Sequence, residues 1–165
     1  MFEIQIPYYI VNLMEKLENA GFEAYVTGGC IRDSLLGIKP SDWDMCTSAA
    51  PYDMKRVFSD MKIVLIGEKH GTVTVVTDES SVEITSFRKD GCYSDARHPD
   101  NVDFVTDIKE DLARRDFTVN AMAYGKTAGI IDLYGGREDL YKPSKIVFET
   151  FTRKRSLVRT QYRPP

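Results

Sequence analysis

Two aspartates one residue apart, Asp42 and Asp44, follow a glycine pair, Gly28-Gly29, in the stretch VTGGCIRDSLLGIKPSDWDMCTS from Val26 to Ser48. Residues at i and i+2 of a strand point to the same face. A glycine turn that opens a helix offers backbone N–H groups to phosphate. Paired carboxylates suit Mg²⁺, which takes oxygen ligands and shares its shell with substrate phosphates. Arg32 lies one turn past the glycines, where a cation reaches a bound triphosphate. The combination implies metal-dependent nucleotidyl transfer. An aspartate pair alone is weak evidence, since surface aspartates at this spacing are common. The adjoining glycine turn gives this pair its weight. The plain alternatives are a tight turn at Gly28-Gly29 and an exposed ion pair at Arg32-Asp33.

Two further stretches carry chemistry. Glu83 interrupts the apolar run Val82–Arg88, and burying a carboxylate there is costly without a partner. A metal or a basic side chain would serve, and the sequence leaves both open. In Arg114-Arg115-Asp116-Phe117-Thr118-Val119-Asn120, two arginines stand beside a carboxylate and an amide at helical spacing. Such a set can clamp phosphate and ribose hydroxyls, although a charged helix terminus would look the same. His70 and His98 are too far apart in sequence to argue for a zinc site or an acid–base pair.

The elements that must position these residues follow from periodicity and turn signals. Ile10, Val11, Met14 and Leu17 predict a helix over Pro7–Ala20, ended by Gly21. A strand is expected over Glu23–Thr27, a helix over Cys30–Leu36, a strand over Ser41–Thr47 and a helix over Pro51–Phe58, with Pro51 in its first turn. Strands are expected over Lys62–Ile66, Thr72–Thr77 and Val82–Arg88, the last two joined by a hairpin turn. Lys89–Val105, rich in Gly, Asp, Pro and charge, reads as a long functional loop. Asp107–Ala113 and Thr118–Tyr124 read as short helices, Ile130–Leu133 as a strand and Arg137–Tyr141 as a helical turn.

Bulk properties bound the class. The 165 residues are 42% hydrophobic and 28% charged, with a formal net charge of −3, which fits one soluble domain and gives no global pull toward nucleic acid. The three cysteines, Cys30, Cys46 and Cys92, lack CxxC spacing, which argues against zinc and against a disulfide framework. Neither a signal peptide nor a membrane-spanning run is read, so a reducing cytoplasm is expected. Composition changes at Lys142, dividing the chain into a domain over residues 1–141 and a basic tail over residues 142–165.

The ordered series GGCIRD, DWD, VEITSFR, DGCYSDARHPD, ARRDFTVNAMAY and IIDLYGGREDL closely resembles the catalytic head of the CCA-adding tRNA nucleotidyltransferases and bacterial poly(A) polymerases. These are class II members of the polymerase-β-like nucleotidyltransferase superfamily. The resemblance spans Tyr25 to Leu140. It implies an α+β fold with a mixed, mostly antiparallel sheet flanked by helices. It implies Asp42 and Asp44 as catalytic, metal-holding carboxylates, Glu83 as the third carboxylate, and Arg97 as a catalytic residue on the loop Asp95–Asp100. It implies Gly28, Gly29 and Arg32 as a phosphate-binding turn, and Arg115, Asp116 and Asn120 as nucleotide contacts. Asp132, Gly135 and Gly136 match a hinge-like element after the head. The implied cofactor is Mg²⁺, the implied substrates are CTP and ATP, and the acceptor is the 3′ end of tRNA or another RNA.

One departure sets a further expectation. In the family a helical neck with an EDxxR-type motif follows the head and reads the incoming base, and helices beyond it grip tRNA. Residues 142–165 contain no such motif. The expectations are reduced activity or relaxed base choice, and self-association through surface that the neck would cover. The competing reading is a non-catalytic or partner-dependent nucleotide-binding remnant. A third, an enzyme modifying a protein or small molecule, fits the motifs less well.

Overall fold

The structure, a computed structural model, describes residues 4–90 and 102–141. Helix α1 (Tyr8–Asn19) begins after Pro7 and buries Ile10, Leu13, Met14 and Leu17, the spacing of one helical stripe. It ends where Gly21 takes a φ of +89° and its N–H bonds to the Glu18 carbonyl. Strand β1 (Ala24–Thr27) then leads through Gly28 into α2 (Gly29–Leu35). After a loop come β2 (Asp44–Thr47), α3 (Pro51–Val57), β3 (Lys62–Val64), β4 (Thr72–Val76) and β5 (Ser81–Ser86). The second half adds β6 (Arg88–Asp90), β7 (Val102–Phe104), α4 (Ile108–Ala113), β8 (Met122–Gly125), β9 (Gly129–Asp132) and α5 (Gly136–Leu140).

Seven of these strands form one sheet in the order β3-β4-β5-β2-β1-β8-β9. Its pairings are antiparallel except β2 with β5, which is parallel. This is the expected mixed, mostly antiparallel α+β architecture. Register places Val26, Met45, Ile84 and Val73 in one cross-strand row. That row belongs to the main core, with α1, Ile31 of α2, and Met54 and Phe58 at α3. The neighbouring row, Tyr25, Cys46, Thr85 and Thr72, faces the opposite side. There Cys46 packs with Phe87, Ile108, Leu112 and Ala123 in a smaller cluster under α4. Tyr25 stacks on Phe87 with ring centroids 6.1 Å apart.

Three sequence expectations are corrected. The strand expected from Ser41 begins at Asp44, so Asp42 sits in the approach to it, with Trp43 buried between the two carboxylates. Thr118–Tyr124 is not a helix: a 3-10 turn over Thr118–Asn120 is followed by β8, which is paired on both sides. The ends of the expected loop over Lys89–Val105 are strands, since β6 and β7 form an antiparallel ribbon with Arg88 opposite Phe104.

Candidate active site

The site forms where β1, β2 and β5 run side by side. Thr27, the last residue of β1, pairs with Asp44, the first of β2. The parallel register Met45–Ile84 brings Glu83 beside Asp44 on the same face of the sheet. Both carboxylates are exposed at the edge of the smaller core, and Asp42 is exposed one residue before Trp43. Glu83 therefore avoids the cost of burial by standing where the sheet face opens. Although Asp44 is open to solvent, the protein packed around it partly desolvates its carboxylate and raises its pKa above the ordinary value, the negative charges of Asp42 and Glu83 raise it further, and Arg115 counters the rise. The three carboxylates and Arg115 thus share one electrostatic neighbourhood.

Gly28 and Gly29 lie immediately after Thr27. Gly28 adopts φ +81°, ψ −134° ahead of α2, a conformation that L side chains rarely take. A Cβ at this position would also sit 3.3 Å from Nη1 of Arg115. The glycine turn and the arginine therefore occupy one small space. At the start of α2 the Gly28 carbonyl accepts hydrogen bonds from the Ile31 and Arg32 amides.

The arginines are held by amide and acid partners. Arg32 donates from Nη1 to Oδ1 of Asn120 at 2.9 Å and from Nε to Oδ1 of Asp33 at 2.8 Å. The Arg32-Asp33 ion pair is thus real, and it belongs to the bracing of the site. Arg115 donates from Nη2 to Oδ2 of Asp111 at 3.1 Å and from Nη1 to the Asn120 carbonyl at 3.5 Å. Its Nε is buried with no hydrogen-bond partner among the described residues. Asp116 is exposed on the bend between α4 and the 3-10 turn. Arg97 lies outside the described residues, as do Cys92, His98 and the whole of Asp95–Asp100.

Asn120 owes its place to two fastenings. Thr118 donates its hydroxyl to Oδ2 of Asp139 on α5 at 2.6 Å. Asp132 accepts the Gly136 and Arg137 amides at 2.8 and 2.9 Å and so fixes the start of α5. A Cβ on Gly136 would overlap the Thr118 carbonyl oxygen and press on the Met122 side chain. The IIDLYGGREDL motif therefore docks α5 against the turn that presents Asn120.

Sequence reasoning missed Asp111. It reads there as one more acid near the start of a helix, yet its side chain is fully buried. The available signal was its spacing, three and four residues before Arg114 and Arg115, which puts all three on one helix face.

The donor set can be weighed for a divalent cation. All three candidate ligands are carboxylates, the hard oxygen donors that Mg²⁺ takes. Their charges raise the Asp44 pKa, a repulsion that a cation would relieve. Among the described residues no group of three or more His, Cys, Asp and Glu is gathered closely enough to hold a metal ion. The residues thus fit such an ion in chemistry and neighbourhood, without forming a ready cage.

A seven-stranded mixed sheet with carboxylates set beside a glycine turn and an anchored arginine defines a nucleotidyltransferase-like head. Residues 24–146 match the family described as the poly A polymerase head domain, and the chain belongs to that family. It is 52% identical over 128 residues to a CCA-adding enzyme of Lactobacillus delbrueckii subsp. bulgaricus, covering 78% of this chain and 32% of that protein. It is 46% identical over 128 residues to a CCA-adding enzyme of Enterococcus faecalis, covering 78% of this chain and 31% of the relative. Among solved structures, the Bacillus stearothermophilus CCA-adding enzyme in complex with CTP matches with a TM-score of 0.75 and 38% identity, over 90% of this chain and 34% of that one. The Thermotoga maritima CCA-adding enzyme complexed with tRNA matches with a TM-score of 0.62 and 27% identity, over 84% and 32% of the two chains. The chain thus spans about a third of the length of these relatives.

Proposed function

We propose that this chain is the catalytic head of a nucleotidyltransferase that adds nucleotides from CTP and ATP to the 3′ end of tRNA. The observation that carries this reading is the placing of Asp44 and Glu83 side by side across the β2–β5 pair, with Arg115 against the neighbouring glycine turn. Negative groups for a cation and a positive group for phosphate then face one space. The relatives' names, which include complexes with CTP, ATP and tRNA, support the same substrates. The boundaries we propose are residues 1–141 for the head and residues 142–165 for the basic segment that follows.

In this reading Asp42 and Asp44 hold Mg²⁺, with Glu83 beside them. The metal would lower the pKa of the attacking primer hydroxyl and neutralise charge on the leaving oxygens. The protein's own contribution is positioning. The Gly28-Gly29 turn brings backbone and Arg32 close to the triphosphate, and Arg115 offsets its charge. Asn120, fixed by Arg32, offers an amide edge to the nucleotide, and Asp116 supplies an exposed acceptor for a ribose hydroxyl. Catalysis then comes from orientation and charge complementarity more than from any acid–base side chain. Arg97 completes the proposed set.

The test is incorporation of labelled CTP and ATP, measured separately, into tRNA lacking its 3′ end in the presence of Mg²⁺. Extension that vanishes in the Asp42→Ala, Asp44→Ala double variant supports the reading. Mg²⁺-dependent CTP binding without extension points to a head that needs a partner. Absence of both binding and extension would overturn the site.

A further inference from the structure

Asp111 is a fully buried carboxylate at the centre of a set of donors. Its Oδ1 accepts Nε of Arg114 at 3.0 Å and the Arg88 amide at 3.3 Å, and its Oδ2 accepts Nη2 of Arg115 at 3.1 Å. A buried carboxylate is tolerated only when paired and hydrogen-bonded, and these three donors meet that need. Asp111 thus lies between two guanidinium groups, those of Arg114 and Arg115. The two arginine side chains are only 17% and 19% exposed. The Arg115 charge is therefore only partly screened by water, and it acts on the neighbourhood of Gly28 and Asp44.

The geometry leaves Arg115 little freedom. Nη2 is tied to Asp111, Nη1 leans on the Asn120 carbonyl, and Nη1 lies against Gly28. A long arginine side chain normally loses much rotamer freedom when it engages a ligand. Here the buried acid has already taken that freedom away. We infer that Asp111 is a positioning residue, which holds the Arg115 guanidinium over the glycine turn before substrate arrives and so sets affinity for the triphosphate. This inference rests on the proposed nucleotide site and adds to it the residue that preorganises its cation.

The test is a double-mutant cycle on CTP and CMP binding to the full chain with Mg²⁺. The variants are Asp111→Asn, Arg115→Ala and the two combined, with folding followed by thermal melting. Asn keeps one acceptor oxygen for Arg88 and Arg114, but turns an NH₂ donor toward Nη2 of Arg115. Asp111→Asn is expected to weaken CTP binding about tenfold, the scale of one charge-assisted contact, and to leave CMP binding near its starting value. On the Arg115→Ala background the same change is expected to cost nothing further. Equal losses for CTP and CMP, or a full extra loss on the Arg115→Ala background, would show a merely structural acid and overturn the inference. Should Asp111→Asn not fold, the charge-balanced pair Asp111→Asn with Arg114→Gln removes one carboxylate and one guanidinium and must show the same loss confined to CTP. If Arg115→Ala alone leaves CTP affinity unchanged, the nucleotide site itself is misplaced and the inference falls with it.

Discussion

The two faces of the β2–β5 pair are built from alternate residues of the same strands, and they serve opposite ends. On one face Met45 and Ile84 join Val26 and Val73 in the main core, all at 1% exposure or less. On the other, Asp44 and Glu83 stand exposed, while Cys46 and Phe87 further along are buried in the smaller cluster. Period-two alternation lets a strand carry both without a compromise in either. The main core holds the strands in register, and the register places the charges. The site's own bracing is polar and local: Asp111 to the arginines, Asn120 to Arg32, Asp139 to Thr118.

The comparison predicts that damage to one face separates cleanly from damage to the other. The largest effect is expected for Asp42→Ala with Asp44→Ala. Transfer should fall by at least about a thousandfold, as for loss of a principal charge-stabilising group, with the melting temperature held or raised as like charges are removed. A melting temperature that collapses along with activity would break the separation. Next, Ile84→Ala on the opposite face should cost about 2–5 kcal/mol in denaturant unfolding. Activity per folded molecule should be retained under conditions where the variant stays native.

A smaller loss is expected for Gly28→Ala. The methyl group is strained at φ +81° and pushes on Arg115, so KM for CTP should rise while the free energy of unfolding falls by no more than about 1–2 kcal/mol. Asp107→Ala removes the carboxylate that accepts the Lys109 amide at the start of α4, and should cost about 1 kcal/mol of stability. The least change is expected from thiol reagents. Burial raises the Cys30 thiol to about 11 and the Cys46 thiol to about 12. Since the thiolate is the reactive form and a raised pKa depletes it, alkylation at pH 8 should spare both in the folded chain. Mass spectrometry should find them modified only after denaturation.

Much of this division is legible in the sequence. The alternation Val82, Ile84, Ser86 against Glu83, Thr85 assigns the two faces of β5, and the strand ends beside GGCIRD and DWD pair, Thr27 with Asp44. The reading of Thr118–Tyr124 as a helix failed because a short apolar run suits a helix as well as a doubly paired strand. Only pairing with β1 and β9 decides for the strand, and that is a long-range fact. The β6–β7 ribbon was hidden for the same reason, as its two halves pair across a polar stretch. Asp111 escaped notice because burial, which gives it meaning, is not written in the identity of an acidic residue near a helix start.

The single parallel pairing has a consequence for how the candidate site is assembled. A parallel pair cannot be closed by a tight turn, and α3, β3 and β4 all intervene between β2 and β5. Asp44 and Glu83 therefore meet only after the entropy of closing that long connection has been met by the strands between them. Contacts of such sequence separation form slowly. During refolding, the intrinsic helical signal should recover ahead of nucleotide binding. A nucleotide added to the refolding chain would then report the moment at which the sheet is complete.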